Sequence, residues 1–252
     1  MKIQYASDLH LEMPANAAWI YKNPIIPSAE ILILAGDITY LSDLHLSSPF
    51  FDLLSSQFDK VYIVPGNHEF YNYSFDIDGL FPSLNMTVRD KVFYLNNQVV
   101  VIGEVRLLFT TLFTQITNHK FIDYKLNDFH VCKYQGERFS TIEFNQCHAQ
   151  CLAFLESELA KPFDGQTVVI SHHAPYPPEY CDYPDSMSLN EAFHIDLLWL
   201  AEKYKIDHWI HGHTHHNQKP LTIGKTTFHT NQLGYAVANE HREFQRDAVL
   251  EI

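Results

Sequence analysis

Five short apolar segments of this 252-residue chain each end in side chains that can bind a metal ion. Continuously apolar runs of this length are typical of strands buried on both faces. In open α/β sheets, binding sites lie outside the carboxyl ends of the strands. We therefore expect the five endings to converge on one small region. The segments are Ile3–Ala6, Ile31–Ala35, Val61–Val64, Val168–Ile170 and His208–Ile210.

The residues that follow these segments offer carboxylate, imidazole and carboxamide groups. A set that mixes oxygen and nitrogen donors suits Mn, Fe, Zn, Co or Ni better than Ca. The set also exceeds what one tetrahedral ion needs, which favours two ions that share a bridging carboxylate. The candidate residues are Asp8, His10, Asp37, Asn67, His68, His172, His213 and His215.

The local spacing of these candidates favours shared sites. In extended backbone, residues i and i+2 point the same way, so we expect Asp8 and His10 to hold the same ion. The same spacing allows His213 and His215 to point into the same site. Glycine lets the backbone approach a ligand closely where a side chain would obstruct it. Such glycines adjoin the candidates at Gly36, Gly66 and Gly212.

The order of these motifs resembles the calcineurin-like metallophosphoesterase superfamily. The chain matches its pattern between residues 7 and 215, in family order. The matching segments are Asp8-Leu9-His10, Gly36-Asp37, Gly66-Asn67-His68-Glu69, the lone His172 after a strand, and Gly212-His213-Thr214-His215. The resemblance implies an α/β fold, namely a four-layer α/β/β/α sandwich of two mixed β-sheets flanked by helices. It also implies a single domain over residues 1–252.

The resemblance also implies a role for each candidate. Asp37 would bridge two ions, and His68 would approach the scissile phosphate without binding metal firmly. Asp37 and His68 would then be the catalytic residues, with Asn67 and His68 contacting substrate. His173 adjoins His172, but the resemblance favours His172, the first histidine after the strand, as the ligand. One ion would be held by Asp8, His10 and His215, and the other by Asn67, His172 and His213.

The function that follows is metal-dependent hydrolysis of a small phosphomonoester or phosphodiester. Two divalent or trivalent transition-metal ions would lower the pKa of a bridging water, and the resulting hydroxide would attack phosphorus. His68 would stabilise the phosphoryl group or protonate the leaving oxygen. Glu69 would either orient His68 or face solvent.

Three other functions fit parts of the pattern. One is a nucleotide pyrophosphatase or nuclease of the same superfamily. Another is a non-catalytic metal-binding scaffold, although such scaffolds usually lose ligands and none is missing here. The third is two-metal hydrolysis of a peptide or amide, against which only the resemblance argues.

The charge balance of the chain restricts its partners. The formal net charge is −13, and an acidic surface repels the phosphate backbone of long nucleic acids. A small phosphorylated substrate is therefore expected. No apolar run approaches the roughly 20 residues that span a bilayer, and the first residues lead directly into a predicted strand. Without a signal peptide or a disulfide pattern among the cysteines, a reducing cytoplasm is the expected location.

The remaining segments predict further strands, helices and loops. A stripe that includes Ile142 and Leu155 is expected to face the core. Two aromatic segments, Thr111–Arg138 and Pro175–Pro184 with Tyr176, Tyr180 and Tyr183, are expected either to line the cleft or simply to pack as loops. Helices are predicted over Phe50–Phe58, Thr141–Leu159 and Leu189–Lys203. Further strands are predicted over Val99–Ile102, Arg106–Thr110, Leu221–Ile223, Thr226–Thr230, Tyr235–Ala238 and Ala248–Ile252.

Overall fold

Two mixed six-stranded β-sheets form the centre of the protein in a computed structural model, and helices flank them. The structure describes residues 1–73, 75–77, 83–181 and 189–252. In chain order, the strands are β1 (Lys2–Ala6), β2 (Ile31–Leu34), β3 (Lys60–Ile63), β4 (Leu84–Arg89), β5 (Val92–Asn96), β6 (Gln98–Ile102), β7 (Val105–Thr110), β8 (Lys133–Tyr134), β9 (Glu137–Arg138), β10 (Gln166–Ser171), β11 (His208–Ile210), β12 (Leu221–Ile223), β13 (Thr226–His229) and β14 (Val249–Glu251).

Helices lie between many of these strands. The α-helices are α1 (Pro14–Lys22), α2 (Asp43–Leu46), α3 (Pro49–Gln57), α4 (His119–Lys125), α5 (Asp128–Val131), α6 (Thr141–Leu159) and α7 (Leu198–Lys203). Short 3-10 helices cover His68–Tyr73, Pro178–Tyr180, Asn190–Ala192, Ala236–Ala238 and Glu240–Glu243. None of the helices in the described ranges is both long enough and apolar enough to cross a membrane.

The two sheets have the same plan. The first has the order β14-β1-β2-β3-β5-β4 and the second has the order β12-β13-β11-β10-β7-β6. In each sheet the four central strands run parallel, and an antiparallel strand closes each edge. Because parallel strands end on the same side, the segments that follow β1, β2 and β3 meet those that follow β10 and β11.

Strand β2 shows why the central strands are continuously apolar. Its residues Ile31 and Ile33 pack in the core between the two sheets, together with Leu107 and Val168 of the other sheet. The alternate residues of β2 pack on the helix side of the sheet. A strand covered on both faces has no position where a polar side chain would reach water. The predicted four-layer α/β sandwich is therefore confirmed.

Helix α6 is the longest helix and was predicted with its observed bounds. It begins with a capping box, in which the Ser140 hydroxyl accepts a hydrogen bond from the Ile142 amide and the Glu143 carboxylate accepts one from the Ser140 amide. The expectation that Ile142 faces the core is wrong, because its side chain is 61% exposed. The buried face contains Phe144, Cys147, Cys151 and Leu155, at helical spacing.

Two other local predictions are wrong. Tyr235–Ala238 was predicted as a strand, but it leads into the 3-10 helix Ala236–Ala238. Leu189–Lys203 was predicted as one helix, but it contains a 3-10 turn, an extended stretch and then α7. The extended stretch forms a bridge from His194 to Ala174, so a tertiary contact overrides local helix propensity there. The sequence also gave no prediction of β4, β5 or α1.

Candidate metal centre

Two groups of candidate ligands lie side by side at the carboxyl ends of the strands. Both groups contain Asp37. Within each group, the candidate ligand atoms lie close enough together to bind one ion. We call Asp8, His10, Asp37 and His215 the first cluster. We call Asp37, Asn67, His172 and His213 the second cluster. The structure thus brings together all seven residues that the sequence assigned to metal, in the two predicted groups.

In the first cluster, the ring nitrogens of two histidines face each other. The Nε2 atoms of His10 and His215 are 2.9 Å apart. Oδ1 of Asp8 lies 3.5 Å from the same atom of His215. Oδ2 of Asp37 lies 3.7 Å from Nε2 of His10. These four atoms therefore surround one small volume.

The second cluster is arranged in the same way around Nε2 of His172. Nδ1 of His213 and Oδ1 of Asn67 each lie 3.1 Å from this nitrogen. Oδ1 of Asp37 lies 3.4 Å from it. The two oxygens of the Asp37 carboxylate therefore face different clusters, which is the arrangement that a bridging ligand requires.

The distances fit metal coordination. Two nitrogens bound at about 2.1 Å and at right angles to one another on one ion lie about 3.0 Å apart. The imidazole pairs are separated by 2.9 and 3.1 Å. The outer nitrogen of each of these imidazoles lies near an acceptor oxygen, which leaves the lone pairs of the inner nitrogens facing one another. A cation between them would satisfy both lone pairs, so the residues present fit two ions of the predicted type.

Most of the ligand loops adopt left-handed backbone conformations. Positive φ is uncommon outside glycine and costs on the order of 1–2 kcal/mol per residue, so it is retained where the surroundings require it. The values are +55° at Asp8, +47° at His10, +55° at Asp37, +73° at His213 and +55° at His215. The expectation of extended backbone at the i, i+2 pairs is therefore wrong. Tight turns, rather than strand geometry, aim these side chains.

Glycine permits the close approach of these turns. Gly36 has φ of +90°, and a side chain there would overlap the ring of His172. A side chain at Gly66 would overlap the Asp37 carboxylate and approach His172 Nε2 to 2.7 Å. The predicted need for glycine beside the ligands is confirmed at both positions.

The imidazoles of the first cluster are held by carboxylates. Nδ1 of His10 lies 3.1 Å from Oε1 of Glu12, and Nδ1 of His215 lies 2.8 Å from Oε2 of Glu240. Donation of these N–H groups leaves each Nε2 free to bind metal.

The imidazoles of the second cluster are held by main-chain carbonyls. Nδ1 of His172 lies 3.0 Å from the carbonyl oxygen of Ala35. Nε2 of His213 lies 3.3 Å from the carbonyl oxygen of Ala192. The two histidines therefore present opposite ring nitrogens to the same volume.

Asn67 is oriented by a buried carboxylate that sequence reasoning missed. Its Nδ2 donates to the hydroxyl of Tyr71 at 3.1 Å and to Oδ2 of Asp128 at 3.3 Å. The Tyr71 hydroxyl donates to the same Asp128 oxygen at 2.6 Å. Because the amide nitrogen is engaged on this side, the amide oxygen points at the second cluster. Asp128 begins α5, within the Thr111–Arg138 segment, and no local motif marks it.

His68 lies beside both clusters. Its Nδ1 is 2.9 Å from Oε1 of Glu12, the oxygen that also accepts from His10. Its ring stacks on Tyr71 with centroids 4.2 Å apart, and its Nε2 lies 3.4 Å from the hydroxyl of Tyr235. Nε2 therefore points away from Glu12 and toward Tyr235. Sequence reasoning missed Glu12, although its i+2 spacing from His10 was a usable signal.

Glu69 does not orient His68. Its carboxylate is fully buried and accepts hydrogen bonds from the amides of Asp37, Ile38 and Gly66, at 3.0, 2.8 and 2.7 Å. Burial and the charge of Asp37 raise the pKa of Glu69 to about 7. Glu69 therefore ties together the turns that carry Asp37 and Asn67, and neither predicted role of Glu69 is observed.

The carboxylates of the two clusters are held in their charged form. Burial acts to raise the pKa of Asp37, but the charges of His172, His68 and His10 hold it well below its usual range. Burial acts to lower the pKa of His172, but the Asp37 charge and hydrogen bond raise it to about 9. These buried anions attract positive charge, which bound metal ions would supply.

The remaining predicted residues lie around this centre. His173 packs against His213 with ring centroids 4.2 Å apart, and burial and the charge of His172 lower its pKa to about 3. Tyr176 is buried and its hydroxyl bonds His211 and Gln218, so it packs rather than lining a cleft. Tyr180 is 41% exposed. Tyr183 lies outside the described residues.

Comparison with known proteins agrees with this geometry. A model of the family described as calcineurin-like phosphoesterase matches residues 1–217. Protein L509 of Acanthamoeba polyphaga mimivirus is 29% identical over an alignment 281 positions long, which covers 99% of this chain and 96% of that protein. The structure of a phosphopantetheinyl hydrolase from Mycobacterium tuberculosis matches with a TM-score of 0.73 at 20% identity, covering 96% of this chain and 92% of the other, and shows a shared fold. The chain therefore belongs to the calcineurin-like phosphoesterase family, which supports metal-dependent hydrolysis of phosphate esters as its general activity.

Proposed function

We propose that each cluster holds one transition-metal ion and that the chain hydrolyses a phosphate ester of a small substrate at this centre. The observation that carries the proposal is the position of Asp37. Its two carboxylate oxygens lie 3.7 and 3.4 Å from histidine nitrogens of different clusters. One carboxylate shared in this way would hold two ions at the short separation typical of two-metal hydrolases. The formal charge of −13 favours a small substrate over a long polyanion.

The bound ions would supply an ionised water at neutral pH and positive charge for the phosphoryl oxygens. The residues of the chain fix where this chemistry takes place. Asp8, Asp37 and the four ligand histidines are restrained by hydrogen bonds at atoms other than those that would bind the ions, or from main-chain amides. His68 presents Nε2 on the side away from Glu12, because Glu12 engages Nδ1. Its outward nitrogen is placed to give a proton to the leaving oxygen.

The reaction balances as a simple hydrolysis. The oxygen of water loses one proton to solvent and forms a bond to phosphorus, and the bond from phosphorus to the leaving oxygen breaks. The electron pair of that bond stays on the leaving oxygen, which takes a proton from Nε2 of His68. His68 is reprotonated from solvent, and Glu12 stabilises its charged form.

An assay with synthetic esters tests the proposal. Protein reconstituted with Mn should hydrolyse p-nitrophenyl phosphate or bis(p-nitrophenyl) phosphate, and removal of metal by a chelator should abolish the activity. Addition of Mn should restore it. Undiminished activity in the metal-stripped protein would contradict the proposal, as would full activity in the Asp37→Asn variant.

A further inference from the structure

The charged groups around the proposed centre are carboxylates and imidazoles. The ion pairs described for Asp8, Asp37 and Glu12 all join them to histidines. Glu12 and Glu240 place two further carboxylates against the ligand imidazoles, at 3.1 and 2.8 Å. The side chain of Glu12 is only 1% exposed. A substrate that enters this centre therefore meets negative charge close behind the ligands.

Several of the cationic side chains lie at the opposite end of the sheets, whereas the exposed Arg242 lies on the 3-10 helix that carries Glu240. All 17 Lys and Arg residues belong to the described ranges. Lys2 and Lys60 begin β1 and β3, and Arg106 lies near the start of β7, whereas the clusters follow the carboxyl ends of the strands. Lys2 pairs with Glu251, and Arg106 donates to the carbonyl oxygens that end α6 and its following turn. Further cations at this end are Lys161, Lys203, Lys205 and Lys225.

This distribution matters because phosphate esters differ in charge. A monoester carries about −1.5 to −2 at neutral pH, since its second pKa is about 6. A diester carries a single negative charge. Sites for more highly charged phosphates commonly add a guanidinium, whose parallel N–H groups match two phosphate oxygens. The donor described beside Nε2 of His68 is the neutral hydroxyl of Tyr235, at 3.4 Å.

We infer that this centre selects a singly charged phosphodiester over a dianionic monoester or a polyphosphate, an inference that rests on the proposed function. Two aromatic faces beside the ligands suit the two carbon substituents of a diester. Phe193 stacks on His213 with centroids 4.5 Å apart, and Tyr235 meets His215 at 4.4 Å. Both aromatic side chains are half-buried.

The direction of the reaction fits the same charge arrangement. Water adds to phosphorus and one ester bond breaks, giving an alcohol and a phosphomonoester. The monoester product carries more negative charge than the diester substrate. The carboxylates of Glu12 and Glu240 repel this added charge, which favours release of the product.

A matched pair of substrates tests the inference. Methyl p-nitrophenyl phosphate and p-nitrophenyl phosphate share a leaving group but differ in charge at about pH 8. The metal-loaded protein should have a kcat/KM about 10-fold or more higher for the diester, because like charges close to the centre oppose the dianion. A kcat/KM for the monoester equal to or above that for the diester would overturn the inference while leaving the proposed function intact.

A charge insertion separates electrostatic selection from the intrinsic reactivity of the two esters. Tyr235→Arg places a cation beside His68, and Tyr235→Gln removes the same ring without adding charge. The ratio of monoester to diester kcat/KM should be about 10-fold higher in the arginine variant than in the glutamine variant. Equal ratios in the two variants, each with wild-type metal content, would contradict selection by charge.

A binding measurement gives an answer that does not depend on turnover. Calorimetric titration of the Zn-loaded protein at about pH 8 compares dimethyl phosphate with methyl phosphate, whose charges differ as in the assay. The diester should bind more tightly, and tighter binding of methyl phosphate would overturn the inference. If neither p-nitrophenyl ester is hydrolysed, the proposed function fails, and this titration still decides which charge the centre prefers.

Discussion

The two halves of the proposed metal centre hold their imidazoles in different ways. The histidines of the first cluster have carboxylates at their outer nitrogens, whereas those of the second cluster have main-chain carbonyl oxygens. A carboxylate partner makes an imidazole a stronger donor to metal than a neutral carbonyl does. The two clusters therefore have similar numbers of ligands but place different amounts of negative charge around a bound cation.

The ligands themselves add to this difference in negative charge. The first cluster contains two carboxylates, Asp8 and the shared Asp37, whereas the second has Asp37 and the neutral amide of Asn67. More negative charge around one position should give it the higher cation affinity. We therefore expect the first cluster to fill before the second, and the predictions that follow test this difference in order of effect.

Removal of the shared carboxylate should have the largest effect. Asp37→Asn deletes the charge that both clusters use, so kcat/KM with bis(p-nitrophenyl) phosphate should fall by about 10³-fold or more. The matched control is Asp164→Asn. Asp164 is exposed in the turn before β10, at the end of the sheet away from the clusters, so this variant should retain activity. If Asp37→Asn kept two ions and a tenth of the activity, both clusters would function without a bridge.

Removal of one ligand histidine at a time should distinguish the metal affinities of the two clusters. His213→Ala should remove the weaker of two metal-binding steps and leave the tighter one, as measured by titration with Zn and a competing chelator. His215→Ala should instead weaken the tighter step. If His213→Ala abolished the tighter step, the assigned order of affinity would be reversed.

The carboxylate behind the first cluster should have an intermediate effect. Glu240→Gln keeps a hydrogen-bond acceptor for His215 but removes its charge, so the tighter metal affinity should fall by about 10-fold to 100-fold. The affinity of the weaker metal-binding step should hardly change. Glu243→Gln, nearby on the same 3-10 helix and exposed, is the control. Equal weakening of both steps by Glu240→Gln would remove the distinction between the clusters.

The carboxylate behind Asn67 should have the smallest effect on metal binding. Asp128→Asn leaves the Asn67 amide with a weaker partner, so we expect the second cluster alone to lose about 10-fold in affinity. Tyr71→Phe should produce a smaller change in the same direction, because one of the two partners of the amide remains. An unchanged second step in both variants would mean that these residues do not orient Asn67.

Local patterns in the sequence were sufficient to predict the strands that end at the centre, whereas the two groups of ligands were predicted from the resemblance to a known family. The runs before Asp8 and Asp37 are apolar because they are buried on both faces, and that requirement is visible in one segment at a time. The roles of these residues stay predictions until metal is bound, as does the single domain over residues 1–252. The sequence also predicted the glycines beside the ligands, because a larger residue would not fit where these turns pack together.

The partners of the ligands were harder to predict, for a physical reason. Asp128 lies 61 residues from Asn67 along the chain and Tyr235 lies 167 residues from His68, so neither contact has a local pattern. Tyr235–Ala238 has the composition of a strand, but tertiary packing places it in a turn beside the ligands. Glu69 lay within a recognised motif, yet its partners are amides, which the sequence does not distinguish.

Diffraction from crystals loaded with Mn, collected above and below the Mn absorption edge, tests the central claim most directly. We predict two anomalous peaks about 3.5–4 Å apart, with one Asp37 oxygen bound to each. Soaks at limiting Mn should show the peak beside His10 and His215 first. A single peak at saturating Mn, or two peaks without an Asp37 bridge, would contradict a centre made of two unequal halves.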